Sequence, residues 1–244
     1  MLKNIFFDLD GTLTDPQKGI LRSIHYALQK MGHEAPPTQQ LLWCIGPPLR
    51  EVFRQLLQTE DQALVEQAVA FYRERYSTVG MFENKPYNGI EAALSRLQSA
   101  GFQLFVSTSK PRVYAKQILE HFGLAHHFIA IHGPELDGTH NDKAELMRHI
   151  LIQHELSPRA TAVVGDRMHD ILAAQKNALT SIAVSYGYGS LEELQDAQPT
   201  YICNNLEELV SRIFNFSDPK HNTSHGQGVQ HVHDFFADKA KSPC

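Results

Sequence analysis

Two aspartates separated by one residue, Asp8 and Asp10, stand where an apolar run ends: Ile5-Phe6-Phe7 precedes them and Gly11-Thr12 follows. Such a run reads as a buried strand, and the turn after it leaves paired acids at the carboxyl edge of a sheet, where open α/β sheets collect ligands. Carboxylates this close do not share one role comfortably. One can stay ionised and attack while the other holds a proton. Plainer uses exist. Asp10-Gly11 could turn a hairpin, but Thr12 to Asp15 do not start an alternating second strand. A calcium loop of the EF-hand type needs Gly at its sixth place and Glu at its twelfth; counted from Asp8, those places hold Leu13 and Gly19, so that reading fails.

A second acidic pair lies far downstream. Thr161-Ala162-Val163-Val164 runs into Gly165-Asp166-Arg167-Met168-His169-Asp170. Either acid could cap the following helix, but capping does not account for both. Two acidic clusters at two strand ends can converge on one hard cation. Carboxylate and carbonyl oxygens with retained water suit Mg²⁺ better than zinc, and no Cys/His set competes. A third strand end carries Ser107-Thr108-Ser109-Lys110-Pro111, whose hydroxyls and helix start offer donors to anionic oxygens. Asn141-Asp142-Lys143 opens another helix, where a lysine can neutralise a phosphoryl group or merely be solvated.

The chain that must position these groups has 244 residues, 42% of them hydrophobic, enough for one large domain or a core with an inserted smaller one. A formal net charge of -5 and the lack of a basic stripe argue against a nucleic-acid face. Cys44, Cys203 and Cys244 form no metal or disulfide framework, and no leader-like or membrane-spanning apolar run is visible; a cytoplasmic protein is expected. Oligomeric state is not legible.

Apolar runs at residues 3–7, 102–106, 128–131, 161–164, 181–184 and 201–203 alternate with helical patterns such as Ile90, Ala93, Leu94, Leu97 and Tyr114, Ile118, Leu119, Phe122. This predicts an α/β fold with a Rossmann-like parallel sheet covered on both faces. From Pro16 to Pro86 no strand is expected. Three amphipathic helices are: Ile20, Ile24, Ala27, Leu28, Met31; then Leu49, Val52, Phe53, Leu56, Leu57; then Leu64, Ala68, Phe71, Tyr72. The expected organisation is a core of residues 1–15 and 87–215, an all-helical cap of residues 16–86 over the acids, and a flexible tail of residues 216–244 with scattered histidines.

Together the four strand-end motifs resemble the haloacid dehalogenase-like phosphohydrolase superfamily over roughly residues 1–215. Asp-x-Asp-Gly-Thr matches Asp8, Asp10, Gly11 and Thr12; the hydroxyl residue matches Thr108; the lysine matches Lys143; and Gly-Asp-x-x-x-Asp matches Gly165, Asp166 and Asp170. Ile45-Gly46-Pro47-Pro48-Leu49 and Asp142-Lys143-Ala144-Glu145-Leu146 are similar to phosphoglycolate phosphatases and 5′-nucleotidase-like members. Ser109 stands where many relatives carry Asn, and Lys110 rivals Lys143 as the phosphate-binding lysine.

The resemblance implies a Mg²⁺-dependent phosphatase acting on a small phosphorylated metabolite. Asp8 would be the nucleophile forming an aspartyl-phosphate and Asp10 the general acid and base. Asp8, the Asp10 carbonyl and Asp166 would hold the metal. Thr108 and Lys143 would bind the transferring phosphoryl group, with Ser109 beside them, and Asp170 would orient the metal site or Lys143. A dehalogenase would not need Asp10, and a P-type ATPase carries Lys-Thr-Gly after its aspartate, where this chain has Leu-Asp-Gly. A 5′-nucleotidase, a sugar-phosphate phosphatase or mutase, and a non-catalytic ligand-binding member remain as alternatives. Substrate choice is expected in the cap, with Arg50 a candidate contact for a substrate anion, Lys18 a lesser one, and Trp43 a candidate stacking surface.

Overall fold

The computed structural model describes residues 1–217. The elements in chain order begin with β1 (Asn4–Phe7), β2 (Thr14–Asp15), α1 (Gln17–Lys30), α2 (Leu49–Leu57), α3 (Gln62–Tyr76) and β3 (Lys85–Pro86). They continue with α4 (Ile90–Ser99), β4 (Gln103–Ser107), α5 (Arg112–His121), β5 (Ala130–His132), α6 (Lys143–Gln153) and β6 (Thr161–Gly165). The chain then runs through α7 (Met168–Lys176), β7 (Thr180–Val184), α8 (Leu191–Asp196), β8 (Tyr201–Cys203) and α9 (Leu206–Ser217).

Six strands form one parallel sheet in the order β5-β4-β1-β6-β7-β8. The chain builds outward from β1 to β5, returns to the other side at β6, and builds outward again. That reversal opens a crevice beyond the carboxyl end of β1, where open α/β sheets bind ligands. Alternation along β1 shows why both faces are covered. Ile5 and Phe7 join one buried cluster with Ile90, Leu94, Ile118 and Leu209. Phe6 turns to the other face and packs with Leu146, Ile150 and Ala174. Period-2 geometry sends successive side chains to opposite faces, so a strand apolar throughout must be sandwiched.

Helices α1, α2 and α3 pack on one another between β2 and β3. The three-helix expectation holds, with two differences. Lys85–Pro86 forms a strand where none was expected and pairs antiparallel with Thr14–Asp15. This two-residue ribbon joins the exit from the sheet to the return into it; it is too short to leave any periodicity in the sequence. Leu64, read as part of the buried face of α3, is 43% exposed, and Val65, Val69, Tyr72 and Tyr76 carry that face instead. At the other end, α9 extends to Ser217 and Phe216 lies edge-on to Tyr201, so the core helix runs slightly past the expected boundary. The remainder of the expected tail lies outside the described residues.

Candidate active site

Asp8 follows β1 directly, and its N–H donates to the Val164 carbonyl of β6 (2.9 Å), extending the ladder to the strand's last residue. The chain then winds tightly, with the Leu9 carbonyl accepting the N–H groups of Leu13 (2.9 Å) and Thr14 (3.0 Å). Gly11 makes the turn possible. Its φ is +82°, and a Cβ there would lie 2.1 Å from Asp166 Oδ2. Only glycine combines that conformation with so close an approach. Asp166 thus comes from the end of β6 to the turn that holds Asp10.

Asp8, Asp166 and Asp170 are all buried, and one carboxylate oxygen from each lies within 4.8 Å of the others. Lys143, at the start of α6, sits between two of them: its Nζ is 3.2 Å from Asp8 Oδ1 and forms an ion pair with Asp170. Asp142 caps α6 by accepting the Glu145 N–H (2.8 Å), which fixes the helix start that carries Lys143. Asp170 has two tasks. It accepts the Arg167 N–H (3.2 Å) at the start of α7 and holds Lys143, so the capping use and the orienting use are both present.

On the opposite side of the turn, Asp10 pairs with Lys110 rather than Lys143, with Nζ to Oδ2 at 2.7 Å. Lys143 pairs with Asp8 and Asp170, whereas Lys110 pairs with Asp10. Thr108 is buried one residue beyond β4. Its N–H donates to the His132 carbonyl (3.1 Å), and its hydroxyl accepts the Lys110 N–H (3.2 Å). Ser109 lines the crevice that holds Lys110 and Tyr76 and also the one that holds Lys143 and His169. Arg50 lines the first of these but its guanidinium is bound to Glu66 of α3. Lys18 is exposed on a groove with Arg22 and His25, apart from the acids. Trp43 packs against the apolar cluster, with its carbonyl turned to Arg167.

Four further contributors, Tyr188, Gly187, Gly189 and Arg167, carry weaker sequence signals. Asp166 Oδ2 accepts the Tyr188 N–H (2.7 Å), and Oδ1 accepts the Thr12 hydroxyl (3.4 Å). Gly187 and Gly189 press on this residue, since a Cβ at 187 would lie 2.3 Å from Asp166 Cβ and one at 189 would lie 2.1 Å from its carbonyl. Tyr186-Gly187-Tyr188-Gly189 after an apolar run was the visible trace of that contact. Arg167 reaches from the β6 loop to the Ile45 carbonyl of the helical segment while its Nε binds Glu193 (2.8 Å). In sequence it is only a spacer residue between two acids.

The electrostatics follow from four buried acids facing the buried Lys110 and the partly buried Lys143. Burial, with Asp8 and Asp170 nearby, pushes the Asp166 carboxyl well above the usual carboxylate range. Burial pushes Asp170 up to about 6 against the pull of Lys143. Burial also raises Asp10, with Lys110 offsetting part of the effect. For Lys143, burial pulls downward, but Asp170 and Asp8 together hold its ammonium above the ordinary range. Excess buried negative charge of this kind is costly unless a cation compensates it. The donor set is oxygen throughout, which suits a hard divalent ion such as Mg²⁺. Asp8, Asp166 and Asp170 each bring a carboxylate oxygen close enough to the others to hold such an ion together.

Residues 5–184 match the family described as haloacid dehalogenase-like hydrolase. A protein named 5′-nucleotidase from Pseudomonas aeruginosa is 46% identical over 206 residues, covering 84% of this chain and 93% of its own. A phosphoglycolate phosphatase from Aliivibrio fischeri is 29% identical, covering 86% and 96%. The crystal structure of a predicted phosphatase from Clostridium acetobutylicum superposes with a TM-score of 0.85 at 42% identity, covering 88% of this chain and 99% of that one. With the family match spanning most of the described core, the chain belongs to the haloacid dehalogenase-like hydrolases.

Proposed function

We propose that this chain is a Mg²⁺-dependent phosphatase that hydrolyses a small phosphomonoester through an aspartyl-phosphate. The observation that carries the reading is the convergence of Asp8 with Asp166, Asp170 and Lys143 beside a second, separately paired carboxylate, Asp10. Asp8 acts as nucleophile, which splits one difficult displacement into two easier ones. Asp10 donates a proton to the leaving oxygen and then takes one from the hydrolytic water. Lys143 and Thr108 donate to the equatorial phosphoryl oxygens, where transition-state charge gathers. Asp8, the Asp10 carbonyl and Asp166 would hold Mg²⁺, which when bound offsets the repulsion between carboxylate and phosphate. Asp170 keeps Lys143 aimed.

Residues 16–86 serve as the cap over a core of 1–15 and 87–215. The cavity between them starts at Asp10, so it would hold the leaving group; Ser109 and Arg50 lie on its wall. The leading substrate class is a small phosphorylated acid of the phosphoglycolate type. The identity to the Pseudomonas 5′-nucleotidase favours nucleoside monophosphates as the second class to test. The deciding experiment is phosphate release from 4-nitrophenyl phosphate and from a panel of phosphorylated metabolites, with and without EDTA. Metal-dependent turnover abolished in Asp8→Asn is expected. Turnover that survives either treatment would overturn the reading.

A further inference from the structure

Lys110 is a buried cation that contacts Asp10 directly and to which the phosphatase reading gives no task; the inference below rests on that reading. Three observations fix its place. Its backbone is held by the core: the N–H donates to Thr108 Oγ1 (3.2 Å), and Gly133 packs on its carbonyl so closely that a Cβ there would lie 2.3 Å away. Its ammonium is 2.7 Å from Asp10 Oδ2. The same ammonium donates to the Tyr76 hydroxyl (2.5 Å) and lies 4.7 Å from the centroid of that ring.

Tyr76 ends α3, in the helical segment, and its ring is immobilised. It stacks on Tyr72 at 5.0 Å and meets Tyr114 of α5 edge-on at 5.7 Å. Lys110 is thus a core residue whose side-chain end is set by the segment above it. The consequence for Asp10 is asymmetric. Oδ2 is taken by Lys110, while Oδ1 is buried and has no hydrogen-bond partner. Asp10 also borders the cavity where a leaving group would sit. Without Lys110 the carboxylate could rotate and present either oxygen.

We propose that Lys110 is a positioning residue for Asp10: it clamps Oδ2, leaves Oδ1 as the oxygen that exchanges a proton with the leaving group, and depends on Tyr76 for its own placement. Proton donation is then correctly aimed only when the helical segment is seated on the core. A lysine that merely pinned the two units together would not produce a dependence on leaving-group chemistry.

That dependence is the test. Rates of kcat/KM are measured for wild type, Lys110→Met, Lys110→Arg, Tyr76→Phe, Asp10→Asn and Lys110→Met/Asp10→Asn on substituted phenyl phosphates, from 4-nitrophenyl to 4-methoxyphenyl. An acidic phenol leaves with little help, whereas a poor one needs a well-placed proton donor. Lys110→Met should lose about 10²-fold on the poorest leaving group and several-fold less on 4-nitrophenyl, steepening the slope as Asp10→Asn does. The double variant should lose little more than Asp10→Asn alone. Tyr76→Phe should steepen the slope more weakly, and Lys110→Arg should restore part of it. Should Lys110→Met fail to fold, Tyr76→Phe and Lys110→Arg decide the matter. A parallel drop across the series, or a Tyr76→Phe slope equal to wild type, would overturn the inference and leave the phosphatase reading intact. A wild-type protein that hydrolyses none of these esters would overturn both.

Discussion

Asp8 and Asp10 are two residues apart, yet their surroundings are built differently. The partners of Asp8 come entirely from the α/β sheet: Asp166 from the end of β6, Lys143 from the start of α6 and Asp170 from the first turn of α7. The partner of Asp10 is Lys110, and Lys110 is held from above by Tyr76 of α3. One carboxylate is therefore surrounded by groups from one strand end and two helix starts of the sheet-bearing core, the other by a contact between the core and α3. A nucleophile and its charge-compensating groups gain from rigid preorganisation.

Breaking the Asp8 side should cost most. Asp8→Asn removes the proposed nucleophile and should lower kcat by about 10⁴-fold or more on every substrate, read by steady-state phosphate release. Asp10→Asn should cost about 10²–10⁴-fold, with the larger losses on poor leaving groups. Their unequal profiles would separate the two carboxylates by role, and equal losses at every leaving group would erase the distinction. Next, Asp170→Asn should lower activity or apparent Mg²⁺ affinity about 10–100-fold through misplacement of Lys143, as measured by a Mg²⁺ titration of the rate. Tyr76→Phe, on the Asp10 side, should leave the Mg²⁺ titration midpoint where it is. A shift of that midpoint equal to the one in Asp170→Asn would show that the two sides are not separately supported.

The smallest effect is on stability and lies away from both acids. His132, at the end of β5, bonds through Nε2 to His154 Nε2 (3.0 Å), and His149, His140 and Arg112 also face this region. Burial first, then these neighbours, push His132 down to about 4. The fold thus favours the neutral ring. Its stability contribution is fully present above the unfolded-state value of about 6.5 and is lost as pH falls toward the folded one. Denaturant unfolding at pH 7 and pH 5 should show a drop in the wild type that His132→Gln reduces.

Much of this was legible in the sequence, and the gaps have physical causes. Asp8, Asp166 and Lys143 announce themselves because each stands at a boundary where an apolar or helical pattern begins or ends, and a parallel sheet brings such boundaries to one edge. The alternation of strands and helices gave the covered sheet for the same reason. Tyr76 gave no such sign: it occupies an apolar position in α3, so its ring reads as packing, and only the tertiary contact reveals its hydroxyl on Lys110. Arg167 was hidden by its place inside the Gly-Asp-x-x-x-Asp spacing. The β2–β3 ribbon escaped because two paired residues per strand carry no period. Leu64 is a helix-face residue that the packing leaves in water, since the buried stripe of α3 is turned toward Val65, Val69 and Tyr76.

The most direct test of the account is to locate the phosphoryl group on the enzyme. Protein mixed with Mg²⁺ and 4-nitrophenyl phosphate is quenched in acid within milliseconds, digested and analysed by peptide mass spectrometry. A phosphoryl-sized mass increment on the peptide containing Asp8, absent with EDTA and absent in Asp8→Asn, is the expected result. An increment carried by any other residue, or wild-type turnover in Asp8→Asn, would contradict the central claim.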